Sequence, residues 1–534
     1  MSALTTTLRR HPLAAIMLLG ATLRIWAALV PGFHHPDAIY QYLEPAHRLL
    51  TGEGVVTWEW RAGMRSWLLP TLLAAPMAAG RLAGPSSDLA LALPRMAVAL
   101  ASLGIVWAGW SIGARASRLH AALAAFVAAT WFECVFFGVQ TLAEPIAAAA
   151  MLPAAALLMG RGATAVHHPG ARRGPDATVS VATGNPLPRL PSNWAPACAG
   201  VEAKGAVAAG FLLGFAILLR PHYAPAAGVL AIVAGRRDPV RRLGAVAIGG
   251  IFALALGALI DIVHGATPFA WMVENVRLNI IEHRADRYGV GPPLEYVAWY
   301  LTMWRWWIVP LLIGVRFGTR AAPALVVAAL VNLVVHSLIG HKEYRFVFFT
   351  TAALVIVSAL GWANLLTLAA ARWPHRTRAV TIGVFAAWGI ASILLGATGK
   401  MIELRGDGRA GSMLFADIRH DPLACGAAVI EGATFGDVPG QVALRHDVPL
   451  SIFVRNDFAY QPQGEPATIA RWAPTYNRIV TTRYLGRILP AAYTRGRCEA
   501  WDRRQLCLYA RPGACEPTAR SPFAASTALK RLSL

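Results

Sequence analysis

The sequence predicts an all-α polytopic membrane protein with a small soluble α/β domain at its C-terminus, on three observations. Hydrophobic residues make up 56% of the 534 residues and charged ones only 14%, against about 25% charged in soluble domains. Apolar runs, many of 18 or more residues, recur along the first 400 positions, and such a run is long enough to cross roughly 30 Å of hydrocarbon. Basic residues sit in short clusters between these runs, the positive-inside arrangement of membrane proteins. The net charge of +21 therefore reflects topology and does not imply a nucleic-acid partner.

Taken in order, Arg9 and Arg10 precede an apolar run from Leu13 to Val30. It is too long for a signal-peptide core and has no small-residue cleavage site, so it reads as a retained first membrane helix. Further spans are expected near 66–83, 88–112, 119–137, 141–160, 205–220, 223–235, 243–264, 300–315, 321–339, 346–370 and 379–398. Arg115 with Arg118, the cluster Arg236, Arg237, Arg241 and Arg242, Arg316 with Arg320, and Arg372 with Arg376 and Arg378 mark cytoplasmic loops. Segments 32–65, 265–299, 340–346 and everything after Lys400 then face outward. An outer 32–65 and an inner Arg115 need an odd number of crossings between them. The 66–83 run, with Pro70 and Pro76, reads as a segment that dips in and returns. The expectation is 11 to 13 transmembrane helices, an odd number, within residues 1–399.

Residues 161–204 hold six prolines, several glycines and scattered arginines without periodicity. They read as a disordered cytoplasmic loop. From residue 400 to 534 hydropathy falls and short β-like runs appear at Gly426–Ile430, Leu450–Val454, Arg478–Thr482 and Gln505–Tyr509. Four of the six cysteines lie in this tail, without C-x-x-C spacing that would suggest zinc. On the oxidising side an even set favours disulfides, the alternative being small buried thiols. Cys498 and Cys507 bracket a candidate hairpin, which leaves Cys425 and Cys515 to each other.

Two constellations on the outer face carry candidate chemistry. In Phe33 to Pro70, Pro36 suits a first helical position and Asp37 the first turn, where the helix dipole favours a carboxylate. Asp37, Gln41 and Glu44 would share one helix face, and Trp58 and Trp60 belong at a membrane–water boundary. The second constellation is GHKEYRF, Gly340 to Phe346, between two apolar runs. Four ionisable residues clustered at a helix junction are costly and usually functional. Lys342 and Arg345 suit a lipid-linked phosphate, one as a point charge and the other as a planar fork. Arg24, Arg95, Glu133, Glu144 and Arg220 are dispersed through the apolar runs and should face the bundle interior, and Tyr288 lies on an outer stretch.

Arg24, then HPDAIYQYLEPAH, G-x-G-V-V-T-W-E-W, R-S-W-L-L-P and, much later, HKEYRF follow the order and spacing of one family. The chain resembles the dolichyl-phosphate-mannose-dependent mannosyltransferases of GPI-anchor and N-glycan assembly, closest to the GPI mannosyltransferase III branch and its bacterial relatives. The resemblance covers roughly residues 20 to 350. It implies a GT-C fold with an extracytoplasmic active site, in a bacterial inner membrane. It departs from the family at Ala38, where a glutamate is usual, and at Gln140–Glu144, where many members carry an arginine–threonine–leucine run. The loop at 161–204 has no recognised counterpart.

The reading is inverting transfer of mannose from a polyprenyl-phosphate carrier to a hydroxyl of a glycan or glycolipid acceptor. Asp37 is the expected base. Lys342 and Arg345, with Arg24, are the expected phosphate-side cations, and His341, Glu44, Trp58, Glu59, Trp60, Arg65 and Tyr288 the expected substrate contacts. Neither a metal nor another cofactor is expected, since cations already clamp the leaving phosphate and the adjacent His34 and His35 make a poor chelate. The partners are the bilayer, the lipid-linked donor and the acceptor. The alternatives are a GT-C enzyme using another lipid-linked sugar and, from another class, a lipid-linked-sugar transporter. Such transporters often show internal repeats, and none is visible.

Overall fold

The computed structural model describes residues 11–160, 195–233, 239–406, 408–430, 439–453, 466–501, 504–517 and 521–525. Every apolar run becomes helix. In chain order these are α1 (Pro12–Leu29), α2 (Glu44–Thr51), α3 (Leu68–Arg81), α4 (Leu89–Ala101), α5 (Leu103–Gly113), α6 (Arg118–Thr130), α7 (Phe132–Phe137) and α8 (Ala143–Leu158). There follow α9 (Ala195–Leu219), α10 (Ala224–Val233), α11 (Pro239–Val263), α12 (Glu295–Trp304), α13 (Ile308–Gly318), α14 (Pro323–Leu338), α15 (Phe348–Arg372) and α16 (Thr377–Gly396). Among the described residues five stretches, Pro12–Leu29, Leu89–Gly113, Val240–Val263, Tyr344–Arg372 and Pro374–Gly396, are long and apolar enough to cross a membrane, and shorter apolar helices accompany them. Outer helices keep apolar surface uncovered: α11 exposes Ile251, Phe252, Leu259, Ile262 and Val263. In water that would be a liability, whereas lipid is its natural solvent. The chain is a multi-pass membrane protein.

Helix α9 starts at Ala195, ten residues inside the segment expected to be loop. The rest of that segment, 161–194, lies outside the described residues, as do Arg236 and Arg237.

Helix α3 shows how the 66–83 run behaves. Arg65, just before it, lines the same cavity as Asp37. Arg81, at its other end, meets His47 of α2 (Nη2 to Nδ1, 2.6 Å). Asp88, after it, pairs with Arg419 of the C-terminal domain. Both ends of α3 therefore lie at the same end of the bundle. The turn back into α4 is tight enough that a Cβ on Gly80 would lie 2.3 Å from the carbonyl oxygen of Leu89.

The C-terminal domain opens with α17 (Lys400–Gly406) and α18 (Arg409–His420), followed by β1 (Ala427–Ile430), β2 (Leu450–Phe453), β3 (Arg478–Thr482), β4 (Thr494–Trp501) and β5 (Arg504–Ala510). The sheet order is β2-β1-β3-β5-β4. β1 pairs in parallel with β2 and β3, and β5 runs antiparallel to β3 and β4. Alternation along each strand divides the faces. Ala427, Val429, Leu450, Ile452 and Val480 join the main core with Leu414, Phe415 and Ile418 of α18, while Ala428, Ile430, Phe453, Ile479 and Tyr509 build a second core. Four strands match the apolar runs read from sequence. β4, TRGRCEAW, is too polar to be read by itself and is recruited by pairing with β5.

Cys498 faces Cys507 across the β4–β5 hairpin and is bonded to it, and Cys425 is bonded to Cys515. The first bond closes 9 residues and the second 90. By loop entropy these closures stabilise by about 2.6 and about 4.6 kcal/mol respectively. Replacing Cys425 and Cys515 by serine should therefore raise the proteolytic susceptibility of the C-terminal domain in mild denaturant more than replacing Cys498 and Cys507.

Candidate active site

The segment after α1 turns at Pro36 and Asp37 into a π-helix, Ala38–Leu43, that leads directly into α2. Pro45 has no N–H to offer Gln41, and its ring would strike that carbonyl in a regular α-helix. The wider turn ahead of it accommodates the ring, closing with the N–H of Glu44 on the carbonyl of Ile39. The wider turn also changes which residues share a face. Asp37, Tyr40 and Gln41 line a cavity of about 1330 Å³, and Glu44 is rotated away from it.

Arg345 enters at the start of the most buried of the five long apolar stretches, on the turn Tyr344–Val347 that feeds α15. It is 3% exposed, and carboxylates surround it. Its Nη2 lies 2.6 Å from Asp37 Oδ2, its Nη1 3.1 Å from Glu144 Oε1, and its Nε donates to Glu343. Glu144, in the first turn of α8 and fully buried, also holds Arg220 at 3.0 Å. Arg220 and Arg345 both lie over the ring of Phe346, at 4.7 and 5.2 Å. One guanidinium thus ties together the segment after α1, α8 and the HKEYRF turn.

A second ring of contacts surrounds this hub. Glu343 takes His341 Nε2 at 2.9 Å and His35 Nε2 at 3.2 Å. His35 Nδ1 accepts the backbone N–H of Asp37 at 3.2 Å. Burial alone would raise the Asp37 carboxyl, yet Arg345, His35 and Arg65 outweigh it and hold the group at about 2. Its stabilising pairing is complete above the ordinary carboxylate range and is lost only as pH falls through about 2. Glu343 is likewise held well below the ordinary range, Arg345 and His35 overcoming burial. Both carboxylates are ionised at neutral pH.

Towards the mouth, Trp58 Nε1 donates to the Tyr288 hydroxyl at 2.8 Å, and Arg65 approaches Glu59 at 3.6 Å. Trp58, Glu59, Arg65, Tyr288 and His341 all line the cavity. So do Ile402, Glu403, Gly408 and Ala500, a lip supplied by the C-terminal domain. Elsewhere in the lining, buried polar atoms have no protein partner, among them Arg65 Nε, Arg220 Nε, His222 Nδ1 and His336 Nε2. Unsatisfied polar atoms around a cavity are where a polar ligand would be held. Among the described residues no group of three or more His, Cys, Asp or Glu side chains could hold a metal ion.

A profile of the Alg9-like mannosyltransferase family matches residues 15–401. The chain belongs to the Alg9-like mannosyltransferase family. It is 28% identical over 359 residues to GPI mannosyltransferase 3 of Yarrowia lipolytica, covering 64% of this chain and 61% of that protein. It is 31% identical over 126 residues to the Dol-P-Man:Man(7)GlcNAc(2)-PP-Dol alpha-1,6-mannosyltransferase of Saccharomyces cerevisiae, covering 22% of each. The chain thus spans less than two thirds of the curated relatives it matches. Among solved structures it is similar to ArnT from Cupriavidus metallidurans bound to undecaprenyl phosphate. That match has a TM-score of 0.56 at 12% identity and covers 94% of this chain and 99% of ArnT. At such identity the likeness establishes the shared GT-C fold alone.

Within this family fold, four residues expected at the site are placed differently. Arg24 is fully buried away from the cavity. Its guanidinium donates to Ser102 Oγ and to the carbonyls of Ala128 and Ala129, at the C-terminal end of α6, where a cation offsets the helix dipole. Glu44 binds backbone amides instead of facing the cavity. Trp60 packs on Trp67 at 4.5 Å and lies outside the lining. Lys342 reaches the wall, but its Nζ is spent on the carbonyls of Ser337 (3.0 Å) and Ile339 at the end of α14. Conversely, Glu144 and Arg220 read in sequence only as dispersed charges, and His35, His222 and His336 gave no signal. Arg220, ending a helix just before Pro221, was the one legible hint.

Arg345→Lys keeps the charge but cannot serve three carboxylates, so donor use should collapse along with part of the stability. Losing one partner of a buried ionic network costs about 3–5 kcal/mol. Lys342→Met should cost only about 1 kcal/mol, the value of a helix-end cation, and leave the donor KM within about twofold. Thermal denaturation and donor titration of both variants check the contrast.

Proposed function

We propose that this protein is an inverting mannosyltransferase that moves mannose from a polyprenyl-phosphate carrier to a hydroxyl of a glycan or glycolipid, forming an α-mannoside. The observation that carries the reading is the Arg345 hub, which brings Asp37 and the HKEYRF turn together at one cavity beside the unbonded Nε atoms of Arg65 and Arg220. Family membership supports the sugar. The Saccharomyces relative is named for a Dol-P-Man donor, and the ArnT structure holds undecaprenyl phosphate, so a lipid-phosphate donor suits a cavity walled by arginines.

The proposed topology is extracytoplasmic for the site. On this reading the basic loops mark the cytoplasmic side, and with both ends of α3 on one face, eleven crossings among the described residues would put the cavity lip and the C-terminal domain outside.

In the proposed reaction the acceptor hydroxyl oxygen attacks the anomeric carbon. The bond from that carbon to the phosphate oxygen breaks, its electron pair leaves with the phosphate, and the hydroxyl proton passes to Asp37. Arg220 and Arg65, each with a free Nε, together with Arg345, receive the charge of the leaving phosphate. At rest Asp37 is a poor base, because Arg345 holds it at about 2. A donor phosphate competes for the same guanidinium, and its own negative charge adds to the effect. Both raise the proton affinity of Asp37, so donor binding prepares the base.

Asp37→Asn should lower kcat by at least about 10²-fold, the usual contribution of a positioned base, with the donor KM unchanged or lowered, since the carboxylate that competes with the phosphate for Arg345 is gone. Arg220→Met should raise the donor KM. Mass spectrometry of products from purified protein, polyprenyl-phosphate-mannose and candidate acceptors reads both. Normal turnover by the Asn variant would remove Asp37 from the mechanism.

A further inference from the structure

Two parts of the chain build the cavity, and one buried side chain joins them. Glu44 ends the turn that begins at Asp37. Its carboxylate is fully buried and points away from the cavity. Oε2 accepts the backbone N–H of Val55 at 2.9 Å and Oε1 that of Val442, in the C-terminal domain, at 2.9 Å. Both loops are shaped around the carboxylate. A Cβ on Gly54 would lie 3.0 Å from Oε2, and one on Gly440 2.1 Å from Oε1. Both glycines have positive φ, +147° and +77°, which other residues rarely adopt.

An exposed ion pair tolerates movement of either partner, whereas a buried carboxylate gripped by two amides fixes backbone against backbone. The second tie between the domains is of the looser kind: Asp88, paired with Arg419 and His420, is largely exposed and screened by water. Glu44 is also only one wide turn from Asp37, so displacement of the 440–444 loop reaches Asp37 directly through backbone.

We propose that Glu44 is a positioning residue that locks the 440–444 loop of the C-terminal domain onto the turn carrying Asp37. The domain thereby sets where the Asp37 carboxylate points, and completes the active site instead of merely flanking it. The functional half of this inference rests on Asp37 being the base; the lock itself does not.

The test uses the full chain in lipid nanodiscs. Glu44→Gln is isosteric, but its amide N–H group must oppose one of the two backbone donors. Gly440→Ala attacks the same contact from the other side, its Cβ 2.1 Å from Oε1 and 3.2 Å from Ile39 Cγ2 on the same turn. Leaving a buried backbone donor unsatisfied corresponds to about 10-fold or more in an equilibrium. Hydrogen exchange should accelerate by that factor at the Val442 amide in Gly440→Ala, and at the Val442 or the Val55 amide in Glu44→Gln, while exchange within α15 is unchanged. With polyprenyl-phosphate-mannose as donor, kcat should fall about 10-fold and the donor KM stay within about twofold. Unchanged exchange at Val442 in both variants would overturn the lock. Faster exchange with normal kcat would overturn the positioning role. A donor KM rising in step with the loss of kcat would mean general loosening of the cavity, and would overturn it too. Exchange is read without substrate, so the lock is judged even if Asp37 proves not to be the base.

Discussion

The fold is organised around one buried guanidinium. Arg345 cannot lose its proton, and removing it from water without partners would be prohibitive. It is therefore stable only where carboxylates converge, and Asp37, Glu144 and Glu343 supply them from three separate segments. This requirement draws the short turn after α1 to the head of α15 and brings the start of α8 alongside. Glu144 then has capacity for a second cation and holds Arg220 at the end of α9. An arrangement of this kind is weak evidence for stability but strong for geometry, because each charge is tolerable only with the others in place. The cavity is what remains between the walls so fixed.

That network also leaves the charges at the site paired with one another. Its carboxylates and cations satisfy one another, which holds Asp37 and Glu343 ionised but occupied. Among the atoms left unsatisfied in the wall are donors and imidazole nitrogens on Arg65, Arg220, His222 and His336. An anionic group seated there would rearrange the pairing already present. In the proposed enzyme, recognition of the lipid phosphate and activation of the base are therefore one electrostatic event. The C-terminal domain is bound into the same unit through a buried glutamate and two glycine loops, and one face of its sheet shares the main core.

The membrane helices, the interfacial turn at Asp37, the HKEYRF junction and four of five strands were legible because each is written locally. Hydropathy over a window, a proline at a helix start and alternation along a strand need no knowledge of neighbours. The partners of the buried cations were not legible. Arg24, Lys342 and Arg345 are all cations at a helix or helix junction near membrane depth, and nothing in their own segments tells which of them meets the cavity's carboxylates. One faces carbonyls of α6, one the end of α14, and one three carboxylates. β4 was missed for a related reason, since its polar sequence becomes a strand only when β5 offers a ladder.

The sequence by itself determined the architecture: a multi-pass helical bundle, an ionisable cluster at two places in the chain, and a small cysteine-bearing α/β domain. It determined these because burial in lipid and strand alternation act on contiguous residues. Only the tertiary structure decided which charges meet. Asp37 and Arg345 are 308 positions apart and Glu44 and Val442 are 398 apart, and no periodicity reports on pairs so distant. The π-turn ahead of Pro45 decided the rest, rotating Glu44 from the face it would share with Asp37 in a regular helix to the one where it meets the C-terminal domain. A buried charge must find its partner in three dimensions, so the identity of that partner is a property of the packed molecule.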